Sequence, residues 1–177
     1  MRRRAAAILA GACAAVAVLT APALGAESSL RDLPALLHEI APAARRLAIL
    51  WDPGVPEGER AFYTVWDAAR GQGLNPSGVE LAGVEGLDAA LVELEAQRAE
   101  MLILVSGGLG EDDLGRLAAF AIARALPAAS AQRAFAAAGG LLSLGPDGHL
   151  VVNLSAARAL GLVVPPDILQ RAREVIP

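Results

Sequence analysis

Six residues that follow apolar runs or occupy turns could hold a small ligand. Trp51 can stack on a ligand, although a tryptophan at the end of an apolar run is more often part of the core. Asp52 can receive an ammonium group, but Asp-Pro-Gly is also an ordinary turn. The others offer hydroxyl, carboxylate or backbone N–H groups. The predicted ligand-binding set is Trp51, Asp52, Ser106, Gly107, Ser130 and Asp147.

The glycine-rich segment at residues 106–110 (SGGLG) has the setting of an anion-binding loop. It follows the apolar run MLILV and precedes a predicted helix, where free backbone N–H groups can hold an anion. It lacks the GxGxxG spacing, the chain contains no lysine, and Glu111, Asp112 and Asp113 would repel an anion. A nucleotide site is therefore not predicted. A plain glycine turn and a ligand-contacting loop both stay open.

Catalytic chemistry finds little support in the sequence. The absence of lysine excludes Schiff-base chemistry. Leu141 lies two residues before Ser143, at a position where the nucleophile elbow of a hydrolase needs glycine. His38 and His149 are too far apart for a recognisable zinc pattern, and neither has an evident serine or aspartate partner in sequence. We predict no enzymatic activity, no metal and no cofactor. A small α/β envelope enzyme is the least favoured alternative.

The N-terminus has the pattern of a secretory signal peptide. Three arginines at residues 2–4 precede an uncharged apolar run, and small residues at 21–26 offer a cleavage position after Ala26. A retained anchor is an alternative because the uncharged run is long. Lipidation at Cys13 is disfavoured because Ala12 separates it from the preceding Leu-Ala-Gly. We predict a signal peptide at 1–26, a single domain at 27–177 and a periplasmic location.

The charge and the cysteine content limit which binding partners and which cysteine-dependent sites can be expected. Without residues 1–26 the chain would keep 12 basic and 19 acidic residues, a net charge of about −7. It would contain no cysteine, which excludes disulfides and thiolate metal sites. Basic residues do not gather on any predicted face, so nucleic acid is not an expected partner.

From residue 30 onward, helical and strand-like segments alternate. Helices are predicted at 30–40, 57–71, 87–98, 112–126 and 131–138, and strands at 46–51, 78–82, 101–105, 127–130, 141–144 and 149–152. RLAILW and MLILV have the continuous apolar character of strands that are buried on both faces. We predict an α/β fold with a single Rossmann-like open parallel sheet and helices on both faces. Its ligand is expected at the carboxyl ends of the strands.

The last 25 residues, NLSAARALGLVVPPDILQRAREVIP, predict two short helices joined by an apolar link. Ser155 is suited to cap the first helix, and Gly161 is suited to end it in a left-handed conformation. Pro165 and Pro166 suit the first turn of the second helix, which is expected to bury an apolar face that includes Val175.

This C-terminal segment resembles that of a family of bacterial ABC-transporter substrate-binding proteins. LLHEIAP and RRLAILWDP at 36–53, RAEMLI at 98–103 and FAAAGGLLSLGPD at 135–147 are similar to further segments of that family, in the same order. The resemblance implies one lobe of a type I periplasmic-binding-protein-like fold, the second lobe. The family's binders of aromatic amino acids suggest an amino-acid-like solute, although Leu144 stands where the family has an aromatic residue.

The resemblance also implies a function. A member of this family binds a small solute without transforming it and presents it to an ABC permease. Two departures bear on this. The chain passes from the predicted signal peptide straight into the second lobe, and residues 147–150 replace a long helix and a segment that crosses between lobes. A truncated relative, a homodimer, a separate polypeptide that supplies the missing lobe, and an interaction module without solute binding are the alternatives.

Overall fold

The computed structural model describes residues 22–105 and 108–177 of the chain. Helices and strands alternate through these residues, with one 3-10 turn at Val84–Gly86. The helices are α1 (Pro22–Ile40), α2 (Gly58–Gly71), α3 (Leu87–Ala96), α4 (Glu111–Ala123), α5 (Arg133–Ala137), α6 (Leu154–Ala159) and α7 (Pro166–Arg171). The strands are β1 (Arg46–Trp51), β2 (Asn75–Glu80), β3 (Met101–Leu104), β4 (Ala128–Ser130), β5 (Leu142–Leu144), β6 (Leu150–Asn153) and β7 (Glu174–Ile176).

The described strands form a seven-stranded sheet in the order β2-β1-β3-β4-β5-β6-β7. The first five in this order are parallel, as the alternation of helices and strands predicts. The α/β fold, with one open, mainly parallel sheet, is therefore confirmed. Strand β2 forms one edge and contains Pro76, which is tolerated there because an edge strand leaves part of its backbone without a ladder partner.

Helices cover both faces of the sheet because successive side chains in each strand point to opposite sides. In β1, Leu47 and Ile49 pack in the core formed with α1, α2, α6 and α7, whereas Ala48 and Leu50 pack in the core formed with α3, α4 and α5. The side chains at 47–50 are fully buried. This two-sided burial is the physical reason that β1 and β3 are apolar without interruption.

Strand β6 runs antiparallel to β5 and is the exception to the predicted parallel arrangement among the described strands. The cause is the short connection at 145–149, since a parallel return needs a crossover of about a dozen residues or more. The connection is a tight turn in which the Gly145 N–H donates to the His149 carbonyl (3.0 Å) and the Gly148 N–H donates to the Gly145 carbonyl (3.0 Å). Gly148 has φ +73°, a left-handed conformation that glycine adopts without strain. Strand β7 then pairs parallel to β6.

The C-terminal segment differs from its prediction in two respects. Asn153, not Ser155, caps α6, because its side-chain oxygen accepts from the Ala156 N–H at 2.9 Å. The last helix ends at Arg171, and Val175 lies in β7, where it pairs with Val152. The predicted left-handed stop is confirmed, since Gly161 has φ +68°.

Helix α1 begins at Pro22 and continues through the predicted cleavage position after Ala26. Residues 1–21 lie outside the described part of the chain, so the signal peptide remains a prediction. Among the described residues, no helix is both long enough and apolar enough to cross a membrane.

Glu100 is expected to make the stability of the fold depend on pH in the acid range. Its carboxylate accepts from the backbone N–H groups of Arg45 (2.7 Å) and Arg46 (3.0 Å) at the start of β1, and these bonds lower its pKa below the ordinary value of 4.5. A lowered folded-state pKa gives stability that is fully present above the unfolded-state pKa and is lost as the pH falls through the folded-state pKa. Glu100→Gln should therefore reduce the loss of stability in urea unfolding between about pH 6 and about pH 3.

Glu85→Gln is the charge-matched control for this experiment, because it removes an exposed carboxylate from the 3-10 turn. Its stability should fall with pH as that of the wild type does. Equal acid sensitivity of Glu100→Gln and the wild type would show that the Glu100 hydrogen bonds do not contribute.

Candidate functional site

The carboxyl ends of β1, β3, β4 and β5 lie along one edge of the sheet, which we call the carboxyl edge. The antiparallel turn of β6 brings residues 145–149 to the same edge. Helix α1 is fixed there as well at Ser29, because the buried Ser29 hydroxyl donates to the Gly145 carbonyl at 2.7 Å. Chain segments that are far apart in sequence therefore meet at this edge.

A charged cleft at the carboxyl edge lies between the middle of α1, the turn at 145–148 and the end of α7. We call it the α1 cleft, and its volume is about 460 Å³. Its lining includes three leucines, two carboxylates, one guanidinium and two serines. The residues that line it are Ser28, Ser29, Asp32, Leu36, Leu144, Pro146, Asp147, Gly148, Leu150 and Arg171.

Asp147 is held in a defined orientation within this turn. Its Oδ1 accepts from the His149 N–H at 3.1 Å, and this hydrogen bond is the main cause of its lowered pKa, which a smaller desolvation effect opposes. The carboxyl group is therefore ionised at neutral pH. Gly145 leaves room for it, since a Cβ at that position would lie 2.8 Å from Oδ1. Arg171 on α7 supplies a positive charge to the same cleft.

Trp51 lies in a second cleft at the β1–β2 corner of the sheet, also of about 460 Å³, which we call the Trp51 cleft. Its ring stacks on Phe62 with centroids 5.0 Å apart and planes at 30°. Trp66, which the helical pattern assigns to the core, is partly buried and packs against Phe62 at 5.4 Å. Gly78, Glu80 and Glu93 complete the lining.

The two clefts are separated along the sheet. Trp51 ends β1 and Asp147 follows β5, and β3 and β4 lie between these two strands. With neighbouring strands about 4.8 Å apart, the two positions are about 14 Å apart across the sheet. Of the predicted ligand-binding residues, those that the structure describes (Trp51, Asp52, Ser130 and Asp147) thus share one edge but do not converge on one point.

Asp52 and Ser130 are buried and hold loops at this edge. The Asp52 Oδ1 accepts from the Gly54 N–H at 2.7 Å, which is the turn role that the sequence left open beside ammonium binding. The Ser130 hydroxyl donates to the Leu104 carbonyl at 3.1 Å and accepts from the Gln132 N–H at 3.0 Å. Both side chains therefore shape the loops that follow β1 and β4. Their ligand contacts stay a prediction.

Ser106 and Gly107 lie outside the described residues, so their predicted role stays a prediction. Helix α4 begins at Glu111, with the acidic residues Asp112 and Asp113 in its first turn. Acidic groups at a helix N-terminus complement its dipole.

The two histidines occupy different parts of the molecule. His38, near the end of α1, lies 3.2 Å from the Arg45 side chain. His149, in the turn before β6, has its Nε2 3.8 Å from a Glu174 carboxylate oxygen. Within the described part of the chain, no group of three or more histidine, cysteine, aspartate or glutamate side chains has an arrangement that could hold a metal ion.

Sequence reasoning missed the other polar residues of the clefts. Asp32 and Arg171 belong to helices that are far apart in the sequence, and only the fold brings them to the same cleft as Asp147. Glu80 and Glu93 are exposed polar positions of β2 and α3, where a charged residue is ordinary. None of these four carries a local motif by which it could have been identified.

No protein-family model matches the sequence, and no curated protein matches it significantly. Solved structures do match its fold. The structure of an ABC domain in complex with L-Trp from Streptococcus pneumoniae is similar over 84% of this chain and 60% of that chain, with a TM-score of 0.76 and 13% identity. The ligand-free, open structure of a substrate-binding protein with adhesive properties from Clostridium difficile covers 80% of this chain and 58% of its own, with a TM-score of 0.67 and 13% identity.

A weaker match is the ureidoglycine-glyoxylate aminotransferase of Bacillus subtilis, with a TM-score of 0.51 and 12% identity over 75% of this chain and 39% of the enzyme. The chain spans about 60% of the length of the substrate-binding protein that it matches with a TM-score of 0.76. Its fold is thus that of one lobe of the ABC substrate-binding proteins, as the sequence resemblance implies. At these identities the similarity shows the fold alone.

Proposed function

We propose that this protein is a non-catalytic solute-binding lobe that serves an ABC transporter. The observation that carries the proposal is the shared fold, which extends over 84% of the chain in the comparison with the L-Trp complex. In open α/β sheets, ligands bind at the carboxyl ends of the strands, and the α1 cleft lies at that edge. The N-terminal pattern favours export, and an ABC permease is the partner that this function requires.

The charges of the α1 cleft favour a zwitterionic, amino-acid-like solute. Asp32 and Asp147 offer carboxylates for an ammonium group, and Arg171 offers a guanidinium for a carboxylate. Leu36, Leu144 and Leu150 provide apolar surface for a side chain. A volume of about 460 Å³ is within the range of small-molecule sites. The matching protein with bound L-Trp supports the same class of solute.

The non-catalytic part of the proposal is supported by the position of the titratable groups. His149 lies beside Asp147, but its side chain approaches Glu174. Ser29, the buried serine of the α1 cleft, uses its hydroxyl to bind the Gly145 carbonyl. A nucleophile activated by a neighbouring base is therefore not present among the described residues of this cleft.

A thermal-melt series of the purified protein against amino acids, small carboxylates and sugars identifies the solute class. Binding to the folded state at about 100 times Kd adds roughly 2.7 kcal/mol to the free energy of unfolding, which gives a visible shift in Tm. We expect amino acids to raise the Tm and sugars to leave it unchanged. A cooperative melt that no solute shifts would contradict the proposal.

Arg171→Gln and Asp147→Asn are expected to weaken solute binding by about tenfold or more each, since each removes one charge-assisted bond to the solute. Calorimetric titration with the solute found in the melts measures the loss. Arg70→Gln is the matched control, because Arg70 is an exposed residue in the last turn of α2 and does not line the α1 cleft. Equal solute affinities of the wild type and the three variants would show that the solute binds outside the α1 cleft.

A second candidate function is self-association through β7. This strand ends the order of the sheet, so one side of its backbone has no strand partner among the described residues. Beside it lies a groove of about 330 Å³ lined by Glu111, Arg133, Ala134, Ala137, Val151, Glu174 and Ile176. Light scattering after size exclusion measures the mass directly. A stable dimer that Val175→Lys or Ile176→Lys disperses would favour this function over a monomeric lobe.

A further inference from the structure

The Trp51 cleft is a second candidate binding site and differs chemically from the α1 cleft. It lies at the outer corner of the sheet, where β1 ends beside the edge strand β2. Trp51 and Glu80 are neighbours in the register of these strands. They point to the same face, because Trp51 alternates with Leu47 and Ile49 on the side of α1 and α2.

An aromatic pair forms one wall of this cleft. Trp51 is partly exposed and stacks on Phe62, which is almost fully buried at 9% exposure. The edge of Phe62 lies over Gly78, where an added Cβ would be 3.0 Å from Cε2, and the Trp51 Nε1 would be 3.7 Å from the same Cβ. A side chain at position 78 would occupy the floor of the cleft, so glycine keeps it open.

The charges of the cleft have one sign. Glu80 and Glu93 line it, and the described lining residues include no basic side chain. Within the described part of the chain, the Glu80 carboxylate has no hydrogen-bond or ion-pair partner. Among the described residues, the Glu93 carboxylate accepts from Gln97 alone, at 3.0 Å, and the Gln97 side chain also donates to the Gly78 carbonyl of β2 at 3.1 Å. Two carboxylates beside an indole therefore face a cleft that supplies no counter-charge.

We propose that the Trp51 cleft binds an organic cation of the alkylamine class, with one ammonium group against Trp51 and Glu80 and a second against Glu93. An aromatic face attracts an ammonium group through its quadrupole, and a carboxylate accepts the N–H bonds of the same group. A diamine carries one ammonium group for each of the two carboxylates, and its alkyl chain can contact the indole. This site goes beyond the solute site in the α1 cleft, and its binding does not depend on that site.

The test is a calorimetric titration of the purified full chain with 1,4-diaminobutane, with 1,4-butanediol as the uncharged probe of the same length. We expect saturable binding of the diamine and no binding of the diol. Fluorescence of Trp51 in a Trp66→Phe background should change on the same concentration scale, because Trp66 is the only other tryptophan. Binding should weaken as the salt concentration rises, since exposed charges are screened.

Glu80→Gln is expected to weaken diamine binding by about tenfold, and the Glu80→Gln, Glu93→Gln pair to abolish it over the measured range. Glu59→Gln is the matched control, because it removes an exposed carboxylate of α2 that does not line the cleft. Absence of diamine binding, equal binding of the diol, or unchanged binding in the Glu80→Gln, Glu93→Gln protein would each overturn the proposal. Thermal melts of each variant establish that it is folded.

The proposals for the α1 cleft and for the Trp51 cleft can be tested independently of each other. Arg171→Gln removes a charge from the α1 cleft and should leave diamine binding unchanged. Glu80→Gln should leave the binding of an amino-acid-like solute unchanged. Diamine binding that Arg171→Gln alters as strongly as Glu80→Gln does would show that the Trp51 cleft is not an independent site.

Discussion

Gly140→Ala is expected to lower the free energy of unfolding by about 2 to 3 kcal/mol, because the added methyl group would overlap a fully buried ring. A Cβ at position 140 would lie 2.7 Å from Cζ of Phe135 and closer still to two further ring atoms. Phe135 is the largest fully buried side chain and packs in the core beneath α4 and α5. To remove this overlap, either the ring or the backbone after α5 would have to shift. That backbone is held by the hydrogen bond from the Gly140 N–H to the Phe135 carbonyl (2.8 Å).

Urea unfolding at neutral pH measures this loss, and Gly115→Ala is its control. Gly115 lies within α4, and a Cβ there would meet only the Ala138 carbonyl at 3.9 Å, so alanine should add about 0.5 to 1 kcal/mol. The two substitutions add the same atoms and are expected to have opposite signs. Combining Gly140→Ala with Phe135→Leu should cost less than the sum of the single changes, because the two sites share one contact. Unchanged stability of Gly140→Ala would contradict this packing.

Asn153→Ala is expected to cost about 2 to 3 kcal/mol, since one buried side chain makes two separate bonds. Its oxygen caps α6 by accepting from the Ala156 N–H at 2.9 Å. Its nitrogen donates to the Ala136 carbonyl at 2.9 Å and so joins β6 to α5. Alanine would remove the cap and the side-chain donor to the Ala136 carbonyl, which would keep only the longer bond from the Gly139 N–H at 3.2 Å.

Two further variants separate these contributions. Asn153→Asp keeps an acceptor for the cap but loses the donor to Ala136, and a carboxylate would face that carbonyl, so it should also destabilise the fold. Ser155→Ala removes the residue that the sequence predicts as the cap. Because its hydroxyl makes an exposed bond to the Pro177 carbonyl, a loss of no more than about 0.5 kcal/mol is expected. A larger effect of Ser155→Ala than of Asn153→Ala would reverse the assignment of the cap.

The central sheet could be predicted because its strands are buried on both faces. RLAILW and MLILV have no polar interruption, and the structure places β1 and β3 at 46–51 and 101–104. Helix α2 was predictable for a related reason, since its apolar residues recur at helical spacing and form one buried stripe that includes Phe62, Val65 and Ala69.

The end of the sheet could not be predicted from local patterns. The direction of β6 depends on the hydrogen bonds of a five-residue turn, and apolar content does not encode direction. Strand β7 has only three residues, too few for a period of 2 to be distinguished from a helical period. It forms because the Arg173 N–H reaches the Leu150 carbonyl at 2.9 Å and Val175 meets Val152, and both contacts are distant in sequence.

The sheet edge at which the candidate residues lie could be predicted from the sequence, but the contacts of these residues could not. The rule that ligands lie at strand carboxyl ends selects Trp51 and Asp147, and both lie on the carboxyl edge of the sheet. It does not reveal that they belong to separate clefts, because their separation follows from the strand order β1-β3-β4-β5. Asp32 and Arg171 join Asp147 only through the docking of α1 and α7, which no short segment of sequence records.

Solute binding at the carboxyl edge is tested most directly by mapping the bound solute onto the backbone. Two-dimensional ¹H–¹⁵N NMR spectra of the labelled protein, recorded with and without the amino acid selected by thermal melts, report each backbone amide separately. We expect saturable chemical-shift changes centred on residues 28–32, 144–150 and 171. Saturable changes confined to the opposite edge of the sheet, or spectra that no solute alters, would contradict the proposal that this lobe binds solute in the α1 cleft.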